Sequence, residues 1–242
     1  MTDLSPALLN QLRNPAKAPA VAPPAPPEET PAKEATESAV PLTFKDGKME
    51  GDYETYYPSG ALHQKMRYKD GALWGPFQIF QEDGTLENAM GFENNLLHGV
   101  SATYQKGKLA ATCTFAQGKQ QGPAVFYDAA GHITAKVNYA DGKFDGVFEA
   151  YDIHGQVLKQ CHYKAGVLEG ESLIFYPSGK PFQKELYQAG LKDGPQEKYY
   201  EDGILMEKEV FAKGEPVSKE TFDTKGNSTS KKEWRAREDS NL

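Results

Sequence analysis

Cysteine, tryptophan and net positive charge are what this chain has little of. Its 242 residues hold two cysteines and two tryptophans, and 27 Lys and Arg stand against 34 Asp and Glu for a formal net charge of −7. An acidic chain gains nothing from phosphate backbones or anionic headgroups, so no nucleic acid partner is expected and a membrane surface is disfavoured. A basic protein or basic segment is the better electrostatic match. Two cysteines make no disulfide framework. The first residues lack both a basic n-region and a continuous apolar h-region, and no apolar run approaches the roughly 18 residues of a spanning helix. These absences point to a cytoplasmic protein, with export without a cleaved signal as the alternative.

What the sequence does have is a period. Aromatic residues recur at Phe44, Tyr68, Phe92, Phe115, Tyr139, Tyr163, Tyr187 and Phe211, spaced by 24 residues except for 23 between Phe92 and Phe115. A second aromatic follows inside each of the first seven units: Tyr56, Phe80, Tyr104, Tyr127, Tyr151, Phe175 and Tyr199. Self-similarity at such a period is the mark of a stacked array in which each small unit buries its apolar face only against its neighbours. The expected job is therefore to present a surface, with no catalysis, no cofactor and no metal. The five histidines, His63, His98, His132, His154 and His162, fall in five different slots of the repeat, so nothing aligns them as a metal cluster. Cys113 and Cys161 share a slot two units apart, on the order of 19 Å at two strands per unit, beyond disulfide reach.

The glycines define the unit, since 21 of the 23 fall in three slots. The first slot holds Gly71, Gly142, Gly166 and their equivalents, with Asn95 in the third unit. Asn is the residue that best tolerates positive φ after glycine, so the slot calls for a left-handed backbone. The last slot closes sequences such as Pro58-Ser59-Gly60 and Glu201-Asp202-Gly203, which suit a type I turn followed by a left-handed bulge glycine. Between the turns lie runs of strand length rich in aromatic and β-branched residues. The fold class read from this is all-β: an elongated, twisted antiparallel sheet of tandem 24-residue β-hairpin repeats, with about sixteen strands over roughly 75 Å.

The string from Tyr187 to Leu205, with Gly190, Gly194, the Tyr199-Tyr200 pair and Gly203, resembles the variant form of the MORN repeat, and the pattern recurs from Phe44 to about Phe222. The same repeat defines the YwqK-type antitoxin family, to which the chain is similar. The resemblance implies an all-β binding protein that sequesters one partner by surface complementarity. Choline-binding cell-wall repeats also combine glycines with aromatic pairs, but their period is nearer twenty and they need tryptophans for cation–π cages; here Trp74 and Trp234 occupy unrelated slots.

Four regions follow. Residues 1–14 carry a short helix pattern with Leu8, Leu9 and Leu12 on one face. Residues 15–43 form a Pro/Ala/Glu-rich linker, expected to be disordered. Residues 44–222 are the array of about eight units, with a net charge of −6, and residues 223–242 are a polar tail that has lost the repeat.

Because side chains alternate along a strand, Tyr56 and its equivalents are expected to face the core stripe. Tyr57, Tyr176 and Tyr200 then face the other way as candidate partner anchors, with Gln81, Gln105, Asp128 and Asp152 in the same slot. Carboxylates beside the turns, such as Asp145/Glu149 and Glu169/Glu171, read as solvated charge. A homodimer is the alternative occupant of the anchor face. A scaffold or translocated effector, tethered by its N-terminal segment, is the alternative function. On this reading, replacing Tyr176 and Tyr200 by Ser should weaken partner capture and leave the circular dichroism melt unchanged.

Overall fold

The computed structural model describes residues 43–234, which fold as twenty strands with no helix among them. The short helix and linker expected over residues 1–42 lie outside the described residues. The described chain divides into two units: an N-terminal one of residues 43–133 and 139–143, and a C-terminal one of residues 134–138 and 144–234. Within each, strands that follow one another in sequence pair antiparallel, as in Lys48–Tyr56 with Leu62–Lys69 and Gly194–Tyr199 with Leu205–Ala212. Three strands are broken by a bulge into a two-residue piece and a longer one, such as Ala72–Leu73 and Gly75–Phe80. Counting each broken pair as one leaves seventeen strands.

The seventeenth lies beyond the array as read from sequence. Asp223 to Asn227 make another turn of the repeat's kind, with Gly226 at φ 82, and Ser228–Glu233 pairs with Glu215–Phe222. The aromatic that should mark this turn is displaced by one residue, to Phe222. The preceding bulge, at Val217, holds one extra residue where the others hold two, and the shorter bulge hides the last hairpin from a strict 24-residue count.

Two kinds of turn alternate. In the first slot both central residues have positive φ, as in Asp70 (53°) with Gly71 (87°) and Asn94 (52°) with Asn95 (66°), which is the type I′ geometry that matches strand twist. In this conformation the glycine N–H points at the preceding repeat. Gly71 N donates to Met49 O at 2.9 Å, Gly142 N to Gln120 O at 2.9 Å, Gly166 N to Phe144 O at 2.8 Å and Gly190 N to Leu168 O at 2.9 Å. The residue before the glycine donates its N–H to a side chain of that same repeat: Asp70 to Glu50, Asp141 to Gln121, Ala165 to Asp145 and Ala189 to Glu169, all at 2.8–3.1 Å. Asp145 and Glu169 are therefore turn caps and not merely solvated charge; a carboxylate is the strongest available acceptor for an N–H thrown out of the ladder.

The second kind of turn is a three-residue loop, as at Pro58-Ser59-Gly60, where Tyr57 N donates to Ala61 O and Gly60 N to Tyr57 O, both at 2.8 Å. The third unit replaces it by the two-residue turn Lys106-Gly107, both at positive φ. That substitution is the one-residue slip between Phe92 and Phe115.

Gly91, one of the two glycines outside the repeat slots, has a different reason to be glycine: a Cβ there would sit 2.3 Å from the carbonyl oxygen of His98. Gly91→Ala should destabilise the chain by about 1–3 kcal/mol, as overpacking against backbone does. Ala189 stands at φ 50 ahead of Gly190. Ala189→Asn gives this turn the preferred Asn-Gly pair and should raise stability by up to about 1 kcal/mol. Both outcomes are read as midpoint shifts in urea melts of the two variants.

Candidate functional site

The repeat presents two faces of different chemistry, and the aromatic slots lie on them otherwise than the sequence reading has it. In the strand pair at the N-terminal end, Tyr53 lies opposite Met66, and Thr55 opposite Gln64, on the buried face. Glu54 lies opposite Lys65 on the other face, and Tyr56 donates its phenol to Glu54 at 2.6 Å. The Tyr56 slot is therefore half-buried on the outward face. Its residue is preceded by a core residue, as Tyr127 is by Phe126 and Phe175 by Ile174. The bulge on the partner strand does not change this alternation; the expectation took the slot that is aromatic in each of the first seven units for the inward one.

The outward face carries rings locked by charge. Tyr151 donates to Glu149 at 2.5 Å and Tyr199 to Glu197 at 2.6 Å. Lys136 lies over the Tyr151 ring at 5.2 Å, and Lys65 and Lys208 meet Glu54 and Glu197 at 2.8 and 3.5 Å. Partial burial, then the bond to the neighbouring carboxylate, pushes the Tyr151 and Tyr199 phenols up to about 12. The Lys65 ammonium, then the Tyr56 hydroxyl, hold Glu54 below the ordinary carboxylate range. At neutral pH the Tyr151 and Tyr199 phenols therefore keep the proton they donate, and Glu54 carries the charge that Lys65 pairs with. Phe80 and Tyr104 occupy the same slot, and within each unit a ring stands on this face at every second strand, roughly 10 Å apart.

Tyr57, Tyr176 and Tyr200, expected to be free for a partner, are engaged within the protein. Tyr57 donates its phenol to Phe80 O at 2.8 Å, Tyr176 to Tyr199 O at 2.8 Å and Tyr200 to Phe222 O at 3.0 Å, each one repeat ahead. Tyr57 also meets the His63 ring at 4.4 Å, tilted by 36°, and Tyr176 meets Phe182 edge-on at 5.1 Å. Phe182 in turn packs against the cluster of Leu158 and Ile174. Where the slot holds Asp128 or Asp152, the side chain closes its own turn instead: Asp128 Oδ1 accepts from the N–H groups of Ala130 and His132, and Asp152 Oδ1 from those of His154 and Gln156, all at 2.8–2.9 Å. The position is thus a turn lock, local when it is Asp and inter-repeat when it is Tyr.

The inner face changes character along the chain. In the N-terminal unit it buries Met66, Phe77, Met90, Phe92, Cys113, Phe115 and Phe126, with Phe77 and Phe92 edge-to-face at 5.7 Å. In the C-terminal unit Val137, Phe148, Cys161 and Ile174 give way to buried Lys159, Ser172, Gln183, Glu185 and Gln196. The slot two residues before the opening aromatic shows the change: Met66, Met90, Cys113, Val137 and Cys161 are followed by Glu185 and Glu209. That run of types is the one sequence signal that could have pointed here, and a reading centred on aromatics and glycines passes over it.

The polar part of this face lines a cavity of about 340 Å³, whose walls include Lys159, Gln183, Glu185, Lys192, Gln196 and Glu207. Glu185 gathers three donors: Gln183 Nε2 at 2.8 Å, Lys192 Nζ at 2.8 Å and the Tyr187 hydroxyl at 3.0 Å. Glu207 takes Lys198 at 2.6 Å and Lys219 at 2.7 Å. Burial by itself would push the Glu207 carboxyl up; the bonds from the two lysines outweigh it and hold the group low. Burial pushes the Lys159 amine down, against the pull of Cys161 and Glu185. It pushes the Tyr187 phenol and Cys161 thiol up. Cys113 and Cys161 are both free and buried. Among the described residues no three His, Cys, Asp or Glu side chains are grouped to hold a metal ion.

The class these features define is an all-β tandem-hairpin repeat module with one ring-bearing outward face and one partly polar inner face. Three of its hairpins, residues 49–70, 168–189 and 192–213, match the family model described as MORN repeat variant. Each match begins just after one type I′ turn and ends on the first central residue of the next. No curated protein matches the chain. Among solved structures, the crystal structure of TcdB2-TccC3-Cdc42 is similar at 12% identity over 79% of this chain and 15% of that chain, with a TM-score of 0.16. That of TcdB2-TccC3 is similar at 12% over the same shares, with a TM-score of 0.15. This chain thus spans only 15% of those chains, and at such scores neither likeness carries an argument.

Since the phenols of Tyr176 and Tyr200 each bond the next repeat, Tyr176→Phe with Tyr200→Phe should lower stability by about 1 kcal/mol per lost bond. The expected readout is a lower thermal midpoint for the double variant. An unchanged melt would show that the two bonds add nothing and return these rings to the role of surface anchors.

Proposed function

We propose that this chain is a non-catalytic protein-binding module that docks through the outward rings and paired charges each unit carries by itself, Tyr56, Phe80, Tyr104 and Tyr127 in one and Tyr151, Phe175 and Tyr199 in the other. The observation that carries the reading is the bond from each of Tyr56, Tyr151 and Tyr199 to a carboxylate two residues back on the same face. A half-buried ring held in one rotamer loses little entropy when a partner covers it, which is what makes aromatic residues good interface anchors. The repeat match supports a binding module in general. The partner is a protein in this reading, and the cytoplasm its setting.

Sequestration of a single partner is the antitoxin-like form that the YwqK-type resemblance implies; scaffolding, or service as a translocated effector, is the other use of the same face. Rescue of growth on co-expression with a toxic neighbouring gene belongs to the first, and secretion that depends on residues 1–43 to the second. The face itself is tested by affinity capture with mass spectrometry. Tyr151→Ser with Phe175→Ser and Tyr199→Ser should lose the proteins that the parent chain retains, while circular dichroism still reports strand. A triple variant that retains them all at parental yield rules out the ladder as the docking face.

A further inference from the structure

Two strand edges are open among the described residues, one in each unit. In the N-terminal unit Lys48–Tyr56 pairs with Leu62–Lys69 along one side, while on the other side Thr43–Lys45 reaches only Lys48 to Glu50. In the C-terminal unit Ser228–Glu233 pairs with Glu215–Phe222 on one side only, and all six of its residues are exposed. An open edge carries a row of unpaired N–H and C=O groups, a template for another strand. Packing at the first edge agrees. The inward slot that Tyr53 opens is buried in the next six repeats, by Phe77, Ser101, Ala124, Phe148, Ser172 and Gln196, whereas Tyr53 itself is only half-buried.

The two edges fit each other in the register that the repeat already uses. Where one hairpin meets the next, a strand like Leu62–Lys69 lies against one like Gly75–Phe80: Lys65 faces Gln78, Ala89 faces Ala102 and Lys184 faces Glu197. Ser228–Glu233 is a strand of the first kind, since Ser228 faces Phe222 as Leu62 faces Tyr56, and this puts Lys231 in the slot of Lys65 and Lys184. Lys48–Tyr56 is of the second kind, with Glu54 in the slot of Glu197. Carried from one copy of the chain to another, the register sets Lys231 against Glu54 and Ser230 against Thr55, as Lys184 is set against Glu197 and Gln183 against Lys198. Charge selects this arrangement. Lys48–Tyr56 holds Glu50, Asp52 and Glu54 with one lysine, and Ser228–Glu233 holds Lys231 and Lys232 with one glutamate, so pairing either edge with its own kind would bring like charges together. Lys65 already meets Glu54 at 2.8 Å, but a carboxylate of this sheet serves two lysines at once, as Glu207 does for Lys198 and Lys219. Asp52 and Glu233, the like charges brought nearest, keep Arg67 and Lys231 of their own copies at 3.8 and 3.2 Å.

We propose that copies of this chain join head to tail, with Ser228–Glu233 of one adding antiparallel to the open edge of Lys48–Tyr56 of the next and Lys231 meeting Glu54 across the joint. The contact is heterologous, and copies joined by it form a ring or an open chain. A joint of one added strand buries less than a standard interface, so assembly depends on concentration. The joint uses strand edges and not the ring-bearing faces, so it and the docking reading can each fail alone.

The test is sedimentation velocity of the full chain at rising concentration, on the parent, on Lys231→Glu, on Glu54→Lys and on an equimolar mix of the two variants. The parent should pass from monomer to oligomers. Either reversal alone sets like charges across the joint and should weaken association about tenfold. In the mix, joints between unlike variants regain opposite charges in both directions, and association should return to within about threefold of the parent. Circular dichroism checks that each variant keeps its strand signal. Should Glu54→Lys lose it, Lys231→Glu is added to the parent, which it can join by its intact edge only, and it should shorten the oligomers. A chain that stays monomeric at every concentration overturns the proposal and gives that edge to the chain's own residues ahead of Thr43. A reversal that changes nothing, or a mix that assembles no better than its parts, overturns it as well.

Discussion

A hydrogen bond from a left-handed turn to the repeat before it is what the rest of this structure depends on. A lone hairpin is marginal in water because it buries too little and leaves its edges unpaired. Here the first-slot turns throw the N–H of the glycine or Asn95 backwards to a backbone carbonyl, and five of them add their predecessor's N–H to an acidic or amide side chain, as Gly166 and Ala165 do to Phe144 and Asp145. Neither bond forms with a right-handed backbone. The positive φ that glycine and Asn95 supply is thus required by contact between repeats as much as by chain reversal. The opposite row of turns is fastened forwards by Tyr57, Tyr176 and Tyr200. Coupling between neighbours is therefore local and directional, as nearest-neighbour models of repeat stability assume.

With neighbours fastened at both rows of turns, the faces are free to differ. Outward pairs such as Glu54 with Lys65 contribute little stability in water. Their more useful effect is to hold the rings of Tyr56, Tyr151 and Tyr199 still. The inner face of the N-terminal unit is apolar and its burial is favourable by area alone. In the C-terminal unit the same slots bury Lys159, Gln183, Glu185 and Gln196. Hydrophobic residues of similar volume would generally be as stable or more so there. At that place the repeat's methionine and valine give way to groups held by hydrogen bonds and ion pairs, such as Gln183 and Lys192 on Glu185.

The aromatic slots show how a sequence pattern can be right about structure and silent about direction. The 24-residue period, the glycine slots and the two turn types were all legible, because each depends on local backbone geometry that residue type dictates. Which of two adjacent tyrosines points inward was not. Tyr199 and Tyr200 differ only in the face to which strand alternation assigns them, and two adjacent rings of one type leave the phase of that alternation open. The final hairpin was missed for a related reason: its bulge at Val217 is one residue shorter, so Phe222 falls out of step with the count.

By itself, then, the sequence determined that this is a chain of antiparallel hairpins, how often it turns and where the backbone must be left-handed, since those follow from φ preferences and side-chain periodicity within a few residues. Only the tertiary structure decided what the recurring side chains do. It made Asp145 and Glu169 caps for a turn twenty residues away, and it turned Tyr176 into a clasp on the next repeat. It also collected Gln183, Gln196 and Glu209 around one cavity from three separate strands. Those roles arise from register between strands, which is fixed by contacts across the whole hairpin and not by any residue's own preference.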